Sequence, residues 1–344
     1  MARTTISDVA KTAGVSTMTV SRVLTGKGEI RAETRERVQR VIQELNYRPN
    51  SLARNLKTQR THTIGLILPD ITNPFFTEVV RGAEEVATDE GFAIILCNTV
   101  RNPDRERKAL ELLEDKRVDG LILCSSGLPD GVLVPLLKQH GAVVVFDRIM
   151  DKTIAGSVKI EDAYGAVCAT NHLLDIGRRR IGLLAGPTYY LGCKHRRQGF
   201  RIALRNRGVT VNPKHEILCE PDENGGFEAA QLLLKKHPNI NGLFCFNDLV
   251  AVGALAALRQ IGMRVPDDVA VVGFDDIRLA SLIRPTLSTV RVDKGCLGRA
   301  MAKMLLSRIQ NQRANDAEEV IRPELVIRES APLPSGQDPL MTKN

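Results

Sequence analysis

The sequence predicts a small all-α head followed by an α/β region of two doubly wound lobes, and three observations carry that reading. Residues 5–24, TISDVAKTAGVSTMTVSRVL, set two short amphipathic segments around Ala13-Gly14-Val15. From Thr63 to about Ser330, short apolar runs alternate with helical stretches, the pattern of parallel strands buried on both faces. That stretch of about 270 residues is more than one such core holds, so two lobes are expected.

In the first segment Ile6, Val9, Ala10 and Ala13 recur at i, i+3, i+4 and i+7 and turn one stripe toward a core. Thr5 can cap this helix, with Asp8 three residues on as its capping-box partner. Gly14 supplies the positive φ that a sharp helix-to-helix turn requires. In the second segment Val20, Val23 and Leu24 form the packing stripe, which leaves Ser16, Thr17, Met18, Ser21 and Arg22 outward near the helix start. Hydroxyls, a thioether and a guanidinium, with no acid among them, suit the major groove of DNA: arginine forks onto guanine, and Ser or Thr bonds phosphates or base edges. A third segment over 32–45 packs through Val38, Val41, Ile42 and Leu45. Any three-helix mini-domain can show such stripes, and charge separates the two readings. Residues 1–60 hold twelve Lys or Arg against five Asp or Glu, a net of +7, while the whole chain carries +8. The basic excess belongs to the head, as a phosphate-binding surface requires.

Pro49 disfavours helix at Arg48 and so ends the third segment. Asn50 can then cap a short helix over 51–57, with Leu52, Ala53 and Leu56 on one side. Two turns are marginal alone, because nucleation costs more than so few hydrogen bonds return, so this helix needs a partner. Residues 58–62 read as a polar connector.

In the α/β region the strand candidates are 64–68, 93–97, 120–123, 143–146, 181–185, 242–246 and 270–274. Helices are expected over 74–89, 104–116, 197–207, 226–236, 249–261 and 294–310. Ligands of open α/β sheets sit beyond the carboxyl ends of strands. Four such places stand out: Asp70 to Phe76 after the first strand, Asp147-Arg148 after the fourth, Asn247-Asp248 after the sixth, and Asp275-Asp276 after the seventh. Paired hydrogen-bonding groups facing aromatic rings are what a sugar asks for, since carboxylates and guanidinium bond hydroxyls and ring faces stack on C–H surfaces. Plain alternatives stand beside these. Asn73-Pro74 is also an ordinary helix start, and Asn247 can cap the helix that follows it. Phe75 and Phe76 cannot both face one core, so at least one reaches the cleft. Asp147 and Asp275 favour ligand contact, and Asp276 reads as a solvated turn residue.

Taken together, DVAKTAGVS, TVSRVL, ELNYRPN and NSLARNLK resemble the head of the LacI/GalR family of bacterial transcription regulators, and the similarity runs on to about residue 331. The resemblance implies a helix-turn-helix domain over 1–49, a hinge helix and linker over 50–61, a bilobed effector-binding and dimerisation domain over 62–331, and a flexible tail over 332–344. The large domain is then similar to type I periplasmic binding proteins. One lobe takes about 62–161 and 292–321 and the other about 162–291 and 322–331, with crossovers near 161–162, 290–293 and 321–324. By position, Thr17, Met18 and Arg22 become base readers, with Ser16, Thr19, Ser21, Thr34, Tyr47 and Asn50 on or near phosphates and Thr5 and Ala53 also at the DNA. Two hinge helices, one per subunit, pair in the minor groove with Leu56 as a wedge that bends the duplex.

Arg196 matches the arginine that many members use to grip the effector, and Tyr190 is a further pocket candidate. Two departures matter. Arg31 stands where members usually carry a capping Ser, so the third helix starts without a side-chain acceptor. Pro221 stands where several relatives place a stacking aromatic, which leaves stacking to Phe75 and Phe76. The Asp147-Arg148 pair resembles ribose- and hexose-binding members. The implied function is a repressor of a carbohydrate-use operon, controlled by a small sugar or sugar acid and acting as a homodimer on a pseudo-palindromic operator. A purine- or nucleoside-responsive repressor, or a global regulator responding to a phosphocarrier protein, is the alternative.

Seven cysteines show no C-x-x-C and no tight cluster, and the six histidines show no ligand spacing, so reduced thiols and no metal or cofactor are expected. No apolar leader and no stretch of ~18 apolar residues is present, which points to a cytoplasmic protein with no membrane contact. No phosphate loop, nucleophile elbow or paired nucleophile and base is found, so no catalytic residue is assigned. The tail PLPSGQDPLMTKN has no heptad and encodes no zipper helix.

Overall fold

The structure is a computed structural model, described here for residues 4–26, 28–47, 60–310 and 318–334. Asn50, Ala53 and Leu56, with the rest of the expected hinge helix and most of the tail, lie outside the described residues. The chain divides into two compact units, residues 1–61 and 62–344.

In the first unit α1 (Ile6–Ala13), α2 (Thr17–Thr25) and α3 (Ala32–Glu44) share one small core. Val9, Ala10, Ala13, Val20, Val38, Val41 and Tyr47 are its buried members, so all three stripes meet. The capping box forms: Asp8 N–H donates to Thr5 Oγ1, and Thr5 N–H donates to Asp8 Oδ2 at 2.8 Å. Gly14 turns the chain at φ 64°. Arg31 gives α3 no side-chain cap.

The second unit contains two six-stranded sheets. β1 (Thr63–Leu68), β2 (Ala93–Asn98), β3 (Gly120–Cys124), β4 (Val143–Phe146), β5 (Gly156–Ile160) and β11 (Glu319–Ile321) form the first, in the order β11-β5-β4-β3-β1-β2. β6 (Ile181–Ala185), β7 (Glu216–Leu218), β8 (Gly242–Cys245), β9 (Ala270–Asp275), β10 (Ser288–Arg291) and β12 (Glu324–Val326) form the second, in the order β12-β10-β9-β8-β6-β7. All pairings are parallel except β10 with β12. Helices cover both faces. On the first sheet α4 (Pro74–Asp89) and α11 (Lys294–Ile309) pack together on one side, and α5 (Pro103–Asp115) with α6 (Asp130–Leu137) on the other. On the second, α7 (Asp162–Asp175) pairs with α8 (Leu191–Asn206), and α9 (Glu223–Lys236) with α10 (Asp248–Gln260).

Five strands and two helices escape a reading based on apolar runs, each for a physical reason. β5, GSVKI, alternates buried and half-buried positions. In β10, Ser288 and Thr289 are fully buried yet polar, and they are satisfied by hydrogen bonds to Arg328 O and Asp248 Oδ1. β7, β11 and β12 are three-residue edge strands. Helix α6 carries Pro135 in its interior, and α7 mixes buried polar residues with glycine and alanine.

Close helix crossings hold the layers together. A Cβ built at Gly298 would lie 2.0 Å from Val79 O of α4, and one at Gly253 2.0 Å from Glu223 O of α9. Backbone cannot yield as a flexible side chain does, so only glycine fits at these crossings. Gly298→Ala is therefore expected to lower stability by about 1–3 kcal/mol in urea unfolding. Alanine is intrinsically the better helix former by about 1 kcal/mol, so the sign of the change reports the crossing itself.

Candidate functional site

The carboxyl ends of β1, β4, β8 and β9 and the start of α8 surround one narrow cavity between the two sheets. Its volume is about 60 Å³. Eight of the nine sequence-predicted effector residues line this space: Asn73, Phe75, Phe76, Asp147, Tyr190, Arg196, Asn247 and Asp275. Phe75 and Phe76 meet edge to face at 5.1 Å, and both reach the cavity although Phe75 is almost wholly buried. Asn73 and Asn247 also cap helices, accepting from Phe75 N at 3.0 Å and Val250 N at 2.9 Å. Capping and cavity lining coincide in both residues.

Arg148 is the exception. It sits just past the turn at Asp147, whose φ is 59°, and its side chain pairs with Asp130 and donates to Ser126 O instead of lining the cleft. Asp276 is not a solvated residue either. It accepts from Arg291 Nε and from Arg328 Nη2, each at 2.7 Å, and its side chain is 9% exposed. Apolar-run reasoning also missed cavity residues. Arg101 and Ser125 follow β2 and β3, and the rule that picked out the other strand ends would have found them. Asp162 opens the unpredicted α7, and Phe246 adds an aromatic ring from the second lobe near Pro221.

Arg196 is the centre of the site. Its Nε donates to Asp162 Oδ1 at 2.7 Å and its Nη1 to Phe246 O at 2.5 Å, with Asp275 Oδ1 3.6 Å away. The guanidinium lies 3.6 Å from the ring centre of Phe274 and 4.8 Å from that of Phe246. Two ties cross between lobes. Gly192 N–H donates to Asp147 at 2.6 Å, and Arg101 bridges Asp70 of its own lobe to Asp222 of the other, 3.1 Å from each. Lys294, at the second crossing, donates to the carbonyls of Asp275 and Asp276 and faces Glu78 of α4 at 3.8 Å.

In the head, Ser16 caps α2 by accepting from Thr19 N at 3.1 Å. Thr17, Met18 and Arg22 are exposed, with Met18 at 63%. Ser21, Thr19 and Thr34 are half-buried. The first turn of α2 carries no acid, so the positive end of its dipole faces outward unopposed. Tyr47 is 8% exposed, and its ring belongs to the core of the head.

Residues 61–329 match the family of periplasmic binding proteins and the sugar binding domain of the LacI family, and residues 5–50 match the lacI family of bacterial regulatory proteins. The chain belongs to the LacI family. It is 36% identical to the HTH-type transcriptional repressor PurR of Photobacterium profundum, over 95% of this chain and 98% of that one. It is 38% identical to the ribose operon repressor of Halalkalibacterium halodurans, over 95% of this chain and 97% of that one. The lac repressor dimer bound to operator and an anti-inducer superimposes with a TM-score of 0.87 at 26% identity, over 96% of this chain and all of that chain. This LacI-family member is a DNA-binding transcription regulator.

The cleft of this regulator is electrostatically crowded. Burial raises Asp147, Asp162 adds to the rise, and the Gly192 N–H and Arg196 offset only part of it, so the carboxyl stands at about 7. Burial likewise raises Asp275 to about 7, against the pull of Arg196 and Lys294. Burial by itself would lower Arg196, but the surrounding carboxylates more than reverse it and hold the guanidinium charged. Burial and the neighbouring Tyr189 push the Tyr190 phenol well up.

Between the ordinary carboxylate range and pH 7 Asp147 and Asp275 bind more protons in the folded protein than in the unfolded chain, so the stability they contribute falls as pH rises, while His140, His172 and His215, lowered by burial, work in the opposite direction. Thermal unfolding midpoints compared from pH 5 to pH 7 are expected to show the wild type losing stability relative to Asp275→Asn as pH rises, with the difference level above about 7. In the head, Arg22→Ala is expected to cut the preference for operator over random duplex by about 5–150-fold, the worth of a bidentate base contact. General duplex affinity should fall far less; fluorescence anisotropy on both DNAs reads the two effects, and unchanged selectivity would remove Arg22 as a base reader.

Proposed function

We propose that this regulator represses a carbohydrate-use operon and that a small sugar bound between the lobes sets its affinity for operator DNA. The convergence of carboxylates, amides, a guanidinium and aromatic rings on one cavity carries this reading. Likeness to a ribose operon repressor supports it. Two copies acting on a pseudo-palindromic operator follow from the size of the head, since one recognition helix reads a single half-site. The DNA readers are Thr17, Met18 and Arg22, with Ser16, Thr19, Ser21, Thr34 and Tyr47 toward the phosphates and Thr5 at the start of α1. Asn50, Ala53 and Leu56 belong to the hinge that joins two copies over the operator.

The ligand is bound and released unchanged, and the protein works in the cytoplasm, where its DNA is. Among the described residues no helix is long and apolar enough to cross a membrane. Because Arg101 and Asp147 tie the lobes together at the cavity, a ligand there acts on the same contacts that fix lobe orientation. A coupling of about 1–3 kcal/mol changes operator affinity by roughly 5–150-fold. A purine effector is the second reading, favoured by the likeness to PurR.

The test is operator binding by the full chain with and without a panel of sugars and purines. Asp275→Ala is expected to keep operator affinity within about twofold and to lose the response to the effector. A variant that still responds would place the effector site elsewhere.

A further inference from the structure

We infer that the effector is an uncharged polyol of about one sugar ring, and that the cleft rejects sugar acids and sugar phosphates. This rests on the reading of the cleft as the effector site and narrows the chemical class that it accepts.

An anion bound in a protein needs free N–H donors: an open guanidinium fork or the bare N-terminus of a helix. In this cleft the protein's own groups already engage both guanidinium groups. Arg196 gives Nε to Asp162 and Nη1 to Phe246 O, and two aromatic rings lie against its guanidinium. Arg101 is held by Asp70 and Asp222.

Four helices begin at the cavity, and a group of the protein stands at each start: α7 carries the Asp162 carboxylate, paired with Arg196, at its first residue. At α4 Pro74 has no N–H and Asn73 takes that of Phe75. At α8 Asp147 takes that of Gly192. At α10 Asn247 takes that of Val250.

The charge of the lining points the same way. Of the carboxyls that line the cavity, Asp70 and Asp162 pair with Arg101 and Arg196, and Asp147 and Asp275, raised to about 7, stand beside them. A bound carboxylate or phosphate would add negative charge next to these carboxyls in a medium that screens poorly. Hydroxyl groups, in contrast, are donors, and buried carboxyls raised to about 7 gain from accepting them. Phe75, Phe76 and Tyr190 offer apolar faces to ring C–H groups. The cavity is small, about 60 Å³, which suits one sugar ring.

Titration calorimetry on the full chain tests this with neutral pentoses and hexoses, the aldonate and the phosphate of each, glucosamine and hypoxanthine. The expected result is binding by a neutral sugar, at least 100-fold weaker binding by its acid and its phosphate, and loss of binding in both Asp275→Ala and the conservative Asp275→Asn. Circular dichroism checks that both variants are folded. Tighter binding of an acid, a phosphate, glucosamine or hypoxanthine that is lost in the Asp275 variants overturns the inference and leaves the cleft as the effector site. Binding of any member that survives in the folded Asp275 variants overturns both. Failure of every neutral sugar to bind also overturns the inference.

Discussion

A nearly buried guanidinium, that of Arg196, against Phe274 and Phe246 is the constraint around which the cleft is organised. A buried ion is tolerable only when its charge and its N–H groups are matched, and removing one partner of such a pair typically costs about 3–5 kcal/mol. The partners of Arg196 come from three places far apart in the chain: Asp162 at the first residue of α7, the carbonyl of Phe246 after β8, and Asp275 at the end of β9. Asp147 joins from the other lobe through Gly192, one helical turn before Arg196. The three partners stand in the same lobe as Arg196, so the match is made within that lobe, and Asp147 brings in the first sheet through Gly192.

That arrangement puts a small polar cavity where the lobes are tied together. Asp147 with Gly192 and Arg101 with Asp222 span the cleft, and Lys294 holds the carbonyls of Asp275 and Asp276 at the second crossing. Backbone in the left-handed region collects at the same place, at Ser125 and Asp147 in the cavity and at Arg101 in the clasp. Such conformations persist where surrounding contacts fix them, and they aim short side chains across a gap. A molecule entering the cavity competes with or completes these contacts. Ligand binding and lobe orientation are thereby one equilibrium.

Much of this site could be read along the chain, because the end of a buried strand is marked by a change from apolar to polar residues. Asp147, Asn247 and Asp275 follow runs such as Val143 to Phe146 and Ala270 to Phe274, and their place at the cleft needs no more than the parallel topology. Arg148 and Asp276 were misread because adjacent residues at a tight turn go to different sides, and the partners that fix them, Asp130, Arg291 and Arg328, are 15 or more residues away. Asp162 could not be picked out, since nothing in Glu161-Asp162-Ala163 says that a lone buried arginine 34 residues later needs it.

The sequence by itself determined the three-helix head, its turn at Gly14, its caps and its basic balance, because these depend on residues within a few positions of one another. It also determined that parallel strands alternate with helices and which strand ends carry polar groups. The tertiary structure alone decided that β5, β10 and the short edge strands join the sheets, that Gly253 and Gly298 sit at helix crossings, and that the cleft's cations are already paired. Those features arise from contacts between residues far apart in the chain, where backbone approach and charge neutralisation in a dry interior decide the outcome and local periodicity carries no trace of it.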